Sequence, residues 1–474
     1  MRATLMAVGL AALVSGSASA QYSSSRTPYA QGYRPRPRAA HEYPVHYQPA
    51  NPFDTPEAPL PEDVDAPRSD EAAADTEAPL PDDGHGDDCC DGYGDDCDYA
   101  DYCDDGCCPS EPCAPPCSAP CGAPCDSGRC MSVWVNLDFM ALWLKGDKLP
   151  PLVTTSDPGT SAANAGVNGL STTHVLFGDG RVNRDFRAGG RVQTGMWFNP
   201  EQTVGIDGHY YQIATAAQNF YSQANYATPD PYAHILAIPT INGATGVQNA
   251  TLIAHPSASG GLSGSVAATS TSDILSAGGG GRMQLWGDCC GCTRVYGTGG
   301  YRFFRLDEGL TLETNSLSSQ GTQRLATYDR FLTSNQFQGG YFGTLAQVTR
   351  GPLWLWVAPQ IAIGNMQQVA NISGATGPLY GTPTVGSGIL TRASNIGHRW
   401  RDHFAYIPEI DMKIGYQITP NFVATLGYNF TFLSSVVRPG TVINPAIGGT
   451  QPQFAYNATS LWMQAATAGF QLRF

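Results

Sequence analysis

The chain has 474 residues, of which 14% are charged and 10% aromatic, with 54 Gly and a formal net charge of −14. Soluble domains carry roughly 25% charged residues, so this composition suits a lipid-facing sheet better than a soluble core. No stretch beyond the N-terminus approaches the roughly 18 continuous apolar residues of a membrane-spanning helix, so any membrane span must be β.

The first 20 residues read as a secretory signal peptide. One Arg precedes an apolar run from Ala3 to Val14, and Ala18-Ser19-Ala20 ends it as an A-x-A cleavage site. Residues 21–130 form a second segment, rich in Pro, Asp, Ala and Gly and without apolar periodicity, which predicts a disordered tail. The acidity belongs to this tail. Residues 53–126 hold 22 Asp and Glu against Arg68 alone, whereas residues 131–474 hold 17 acidic and 19 basic residues. The RPRPR patch at 34–38 is too short to argue for nucleic acid.

Eleven of the 14 Cys lie between Cys89 and Cys130, with Cys113, Cys117, Cys121 and Cys125 spaced four apart. Cys289, Cys290 and Cys292 make the total even. In an exported chain disulfides are the first reading, within the 289–292 turn, between it and the tail, or between copies of the chain or other envelope proteins. Soft-metal binding is the alternative. No metal site or cofactor is otherwise indicated.

From Met131 onward, apolar residues alternate with polar or small ones, the period of a strand with two different faces. Phe422, Ala424, Leu426, Tyr428 and Phe430 share one face, and Asn421, Val423, Thr425, Gly427 and Asn429 the other. Ten strands are expected, at about 132–145, 185–198, 202–221, 271–287, 292–307, 335–349, 352–366, 403–418, 421–437 and 458–474. Short and long connections alternate along them, as an up-and-down membrane barrel demands. The fold class is therefore all-β, a closed antiparallel transmembrane barrel of 10–12 strands over residues 131–474. All eight Trp fall near expected strand ends, which predicts two interfacial belts.

The chain ends TAGFQLRF. Thr467, Gly469, Leu472 and Phe474 resemble the C-terminal signal read by the bacterial barrel-assembly machinery. LPPLVTTS (149–156), YRFFRLDEGL (301–310), DRFLTSNQFQGGYFG (329–343), IPEIDMKIGY (407–416) and VVRPGTVINP (436–445) carry a wider resemblance. Over 131–474 the chain resembles the planctomycete-type outer-membrane β-barrel porins, seventh group. That resemblance implies an outer-membrane barrel in contact with lipid, and assigns no substrate and no site residues.

In the expected register the lumen-facing polar residues are Asp138, Arg187, Arg191, Asp207, His209, Arg282, Arg294, Arg302, Glu409, Asp411 and Lys413. Two readings follow for a barrel of this size: a narrow passive pore, or a plugged surface barrel whose charges pair internally. A third is an envelope structural protein crosslinked through its Cys-rich periplasmic tail. A fourth is a barrel-embedded hydrolase using Asp207 with His209, or His398 and His403 near the outer rim. No GxSxG or nucleophile triad supports it, so no catalytic activity is expected.

Overall fold

The computed structural model describes residues 132–474, except 227–233, 289–291, 319–323 and 378–383. The expected signal peptide and tail lie outside the described residues. Ten strands make the barrel: β1 Ser132–Leu144, β2 Arg187–Trp197, β3 Val204–Ala224, β4 Leu262–Gly287, β5 Thr293–Ser318, β6 Arg324–Arg350, β7 Leu353–Gly377, β8 Gly397–Thr419, β9 Phe422–Val437 and β10 Ala458–Arg473. Each pairs antiparallel with its neighbours in the chain, and β1 closes the ring on β10 from Trp134↔Arg473 to Leu144↔Met463. Closure matters because an unpaired strand edge cannot be satisfied in hydrocarbon.

The strand number matches the lower expectation, but five strands are much longer than expected. β4 to β8 run 23 to 27 residues. About 9–11 residues suffice to cross a bilayer. The segments expected as loops at 262–270, 308–318, 324–334 and 367–377 continue the wall instead.

The reason is an inversion of the two faces partway up the strand. In lower β7, Leu353, Leu355 and Ile363 point outward and are exposed, while Trp354 and Ala362 point inward. In upper β7, Asn365 and Gln367 point outward, and Met366, Ala370 and Ile372 are buried inside. β5 changes in the same way: Arg302 faces in below, whereas Leu310 and Leu312 face in above and Glu313 faces out. The lower wall has lipid outside and charge inside; the upper wall has water outside and an apolar core inside.

That upper core is completed by the long connections. Strands Val153–Ser156, Thr173–Phe177, Leu236–Asn242, Gln248–Ala254 and Ala446–Ile447 form a separate five-stranded sheet. Its Val153, Leu236, Ile238 and Ile253 pack with Val266, Leu310, Leu312, Phe331, Ala370 and Ile372 of the wall. Burying each Val, Leu, Ile or Phe among them stabilises by roughly 1.5–3 kcal/mol.

The two-belt expectation for Trp needs correction. Trp134, Trp197 and Trp354 are only 7%, 6% and 7% exposed and face the lumen. Trp356, two residues on from Trp354 in β7, shares that inner face. Trp143, Trp286, Trp400 and Trp462 are exposed on the outer surface. Proximity to a strand end says nothing about which face a residue occupies; parity along the strand does.

Candidate functional site

The site is the lumen itself, stacked in layers from the short-turn end upward. At the short-turn mouth Trp134, Trp197, Tyr296 and Leu345 cluster with Trp356. Arg282 lies over two of these rings, its Cζ 5.2 Å from the centroid of Trp134 and 5.3 Å from that of Trp197.

Above it lies an ion-pair layer. Arg191 bridges β2 to Asp138 of β1 at 2.9 Å and to Asp411 of β8 at 3.0 Å. Lys413 reaches the same Asp138 at 2.9 Å. Arg302 binds Glu409 at 2.6 Å, and Arg282 binds Asp207 at 2.6 Å. Asn429 donates to the other oxygen of Glu409 at 2.9 Å. Every carboxylate here has a cation, as buried charge requires.

Ten of the eleven residues expected in the lumen contribute side chains to its interior; eight of these form the ion pairs and His209 joins them. Arg187 stands apart, donating to Ser272 O and Oγ at 3.2 Å and to Asn183 O at 3.0 Å. Arg294, the eleventh, sits at the short-turn end and donates to Glu201 O and Gln202 Oε1 at 3.2 Å. The expected pairing of Asp207 with His209 does not occur: Asp207 goes to Arg282, and His209 Nε2 accepts from Arg302 at 2.7 Å. An arginine only donates, so that ring nitrogen carries no proton.

Next comes an apolar layer that crosses the lumen. Leu142, Ile213, Ile274, Phe304, Phe337, Met366, Ile407, Leu433 and Leu461 belong to one buried cluster drawn from nine of the ten strands. Phe304 and Phe337 are fully buried.

The next layer was not foreseen. Arg438, which begins the turn into the one-turn helix Pro439–Val442, folds into the lumen. Its Nε and Nη2 donate to the two oxygens of Glu308 at 2.7 and 2.6 Å, and its Nη1 donates to Lys145 O at 2.6 Å. Asp147 accepts from the Gly440 amide at 2.8 Å. A Cβ on Gly440 would sit 2.1 Å from Lys148 O, so this approach requires glycine. Burial, with the Glu308 carboxylate adding to it, pushes Asp147 up to about 6.

Two further clamps hold the same region. Asn335 Nδ2 donates to Val437 O at 2.8 Å, and Val437 N donates to Asn335 Oδ1 at 2.7 Å, tying the end of β9 to β6 across the lumen. Asp329 accepts from the Ile389, Leu390 and Thr391 amides at 2.8–3.0 Å. Arg438 and Gly440 of the Arg-Pro-Gly phrase and Asn335 of the Asn-Gln-Phe phrase are therefore plug contacts.

At the C-terminus Thr467 and Gly469 face the lumen and Leu472 and Phe474 the outside, Phe474 being 72% exposed. Gly469 pairs with Asp138, and a Cβ there would lie 2.6 Å from an Asp138 carboxylate oxygen. Cys292 is disulfide-bonded. Cys289, Cys290, Cys113, Cys117, Cys121 and Cys125 lie outside the described residues. Among the described residues no cluster of His, Cys, Asp or Glu could hold a metal ion.

No curated protein matches the sequence. Among solved structures, the outer membrane protease OmpT from Escherichia coli aligns over 73% of this chain and 96% of its own, at 8% identity and a TM-score of 0.33. The P. putida toluene transporter TodX aligns over 72% and 90%, at 6% identity and a TM-score of 0.15. The family described as "Putative beta barrel porin-7 (BBP7)" matches residues 134–474, which is all of the barrel except its first two residues. The chain belongs to this family and is a porin-like β-barrel protein of the outer membrane.

Proposed function

We propose that the protein is a porin-type barrel held shut, a surface barrel whose resting lumen passes no solute. The apolar layer around Phe304 and Phe337 carries this reading, because it fills the cross-section between two layers of fully paired charge. A conducting lumen needs continuous polar lining, and water finds no hydrogen-bond partners in such a layer. The Arg438 turn adds a second closure above it. The test is solute efflux. Liposomes carrying the purified full chain and loaded with a small dye should retain it as protein-free liposomes do. Rapid loss of dye would overturn the reading.

We read the barrel as non-catalytic. His209 spends its basic nitrogen on Arg302, and Asp207 is engaged by Arg282, which leaves neither to activate water.

We place the short turns in the periplasm, by the general rule that short turns lie there and long loops outside. The chain preceding Ser132 then starts on the periplasmic side. A second reading, an envelope structural protein tied by disulfides to copies of itself or to other envelope proteins, rests on the eleven Cys between Cys89 and Cys130, since Cys292 is already disulfide-bonded within the chain. Non-reducing electrophoresis separates the two: a ladder of crosslinked species supports it, and a monomer band unchanged by reductant removes it.

A further inference from the structure

The outer surface changes character at the long-loop end of β1, β2 and β10. Phe139 and Trp143 of β1 and Trp462 of β10 are exposed outward. Phe186, the residue before β2, joins them, its ring centroid 5.7 Å from that of Trp143. Exposed rings gathered at strand ends mark the membrane–water interface. These strands are also short, with 13 residues in β1, 11 in β2 and 16 in β10, against 23 to 27 in β4 to β8. Their ends therefore stop at the membrane surface, while the tall part of the wall continues above it.

Directly beyond the rings the chain places cations. Lys145 stands two residues past Trp143 on the same outer side, and its Nζ donates to Ser460 O at 2.7 Å and Ser460 Oγ at 3.1 Å. Arg184 stands two residues before Phe186 and is exposed. Asp147–Lys148 pairs with Arg181–Val182, so that Lys148 and Arg181 are exposed partners and Asp147 and Val182 are buried behind them. Arg181 Nη1 donates to Gly146 O at 2.9 Å. A Cβ on Gly146 would lie 3.0 Å from the Cβ of Arg184 and 3.1 Å from that of Arg181, so this glycine lets both arginines crowd the end of β1.

The group lacks counter-charge. Among the described residues no ion pair involves Lys145, Lys148, Arg181 or Arg184. Asp147 turns inward to the Gly440 amide at 2.8 Å. Asp179 and Asp185 are exposed in the same connection, and Asp185 acts on the lumen-facing Arg187. Burial lowers the pKa of Lys145, and the like charges of Arg181 and Arg438 lower it further. An anion that reaches all of these cations relieves their mutual repulsion.

We propose that this corner of the barrel seats an anionic lipid of the leaflet on the long-loop side, its phosphate among Lys145, Lys148, Arg181 and Arg184 and its acyl chains along the column of rings below. The two halves of the patch select together. Guanidinium groups grip phosphate through paired N–H donors. The aliphatic stems of Lys and Arg lie along apolar surface while their charged ends reach headgroup level. A soluble anion gains nothing from the rings, and an uncharged lipid gains nothing from the cations.

The test uses the full chain folded in maltoside micelles, which carry no phosphate, with native mass spectrometry counting the lipid retained. Dioleoyl phosphatidate should bind saturably, at least about tenfold tighter than dioleoylglycerol. Lys148→Gln with Arg184→Gln should weaken phosphatidate about tenfold or more. Arg330→Gln with Arg350→Gln removes the same charge from β6, on the far side of the ring, and should change nothing. Equal retention of the two lipids, phosphatidate binding unmoved by the Lys148 and Arg184 change, or an equal loss in the β6 variant would each overturn the assignment. Displacement of phosphatidate by millimolar inorganic phosphate would overturn it as well, since the site would then serve a free anion. Far-ultraviolet circular dichroism of each variant establishes that the barrel is intact, so a loss of binding reports on the site.

Discussion

Arg438 grips Glu308 with both ends of its guanidinium, at 2.7 and 2.6 Å, although 130 residues separate them in the chain. The pair is buried, at 1% and 4% exposure, and it pins the turn after β9 to the inner wall of β5. The plug is therefore a latch on the barrel wall, and its strength is open to measurement.

Arg438→Ala leaves Glu308 buried without a cation, at a cost of about 3–5 kcal/mol. The turn should detach while the barrel stays closed. Chymotrypsin cleavage at Phe454 and Tyr456 should accelerate strongly, with the β-sheet circular dichroism signal unchanged. The double change Glu308→Leu with Arg438→Met should recover most of the protection, since an apolar pair can replace a buried ion pair. Equal cleavage of wild type and Arg438→Ala would contradict the latch.

Docking of the first long connection depends on pH through Asp147. Its carboxyl titrates near 6 when docked, against 3.8 for a free Asp. Between those values the docked form keeps a proton that the undocked form has lost, so docking weakens as pH rises from about 4 to 6 and is level above that. The full swing is on the order of 3 kcal/mol. Proteolysis of residues 145–186 should thus speed up over that range in wild type and show no such rise in Asp147→Asn, with Arg438 and Glu308 intact.

Gly469 separates two accounts of the chain terminus. If it acts only as part of an assembly signal, Gly469→Ala should refold normally from urea into detergent. The structure places a new Cβ 2.0 Å from Leu137 O, a contact the wall cannot absorb without moving β1 against β10. Refolding yield in detergent alone should fall sharply. An unchanged yield would assign the glycine to recognition alone.

The apolar layer should dominate stability. Phe304→Ala and Phe337→Ala each empty a fully buried position and should cost about 3–5 kcal/mol in reversible urea unfolding followed by tryptophan fluorescence. Leu426→Ala, exposed on the outer face at 67%, should cost far less in detergent.

The ten strands were legible because alternation of two residue types reports face directly, and turn residues such as Asn199-Pro200 and Thr419-Pro420 mark the short connections. The upper wall was not, because alternation there has the opposite sense. Leu310 and Leu312 look like loop residues to a reader seeking a greasy outer face, yet they line an inner core. The loop sheet was missed because strands of two to seven residues carry too short a period to detect. The inward charges of the lower wall could be listed from parity, but their partners could not: Arg191 and Asp411 are 220 residues apart. Glu308 was within reach, being in phase with Arg302, whereas Arg438 lies in a loop where parity gives no direction. The inward tryptophans were legible too, since Trp134 is in phase with Asp138 and Trp354 alternates with Leu353 and Leu355.

Single-channel recording tests the closed lumen most directly. Purified full-length protein in a planar bilayer should give a flat trace, and the triple variant Phe304→Gly, Phe337→Gly, Arg438→Ala should give discrete steps. Steady ohmic conductance from the wild-type protein would contradict a barrel sealed by a dry layer.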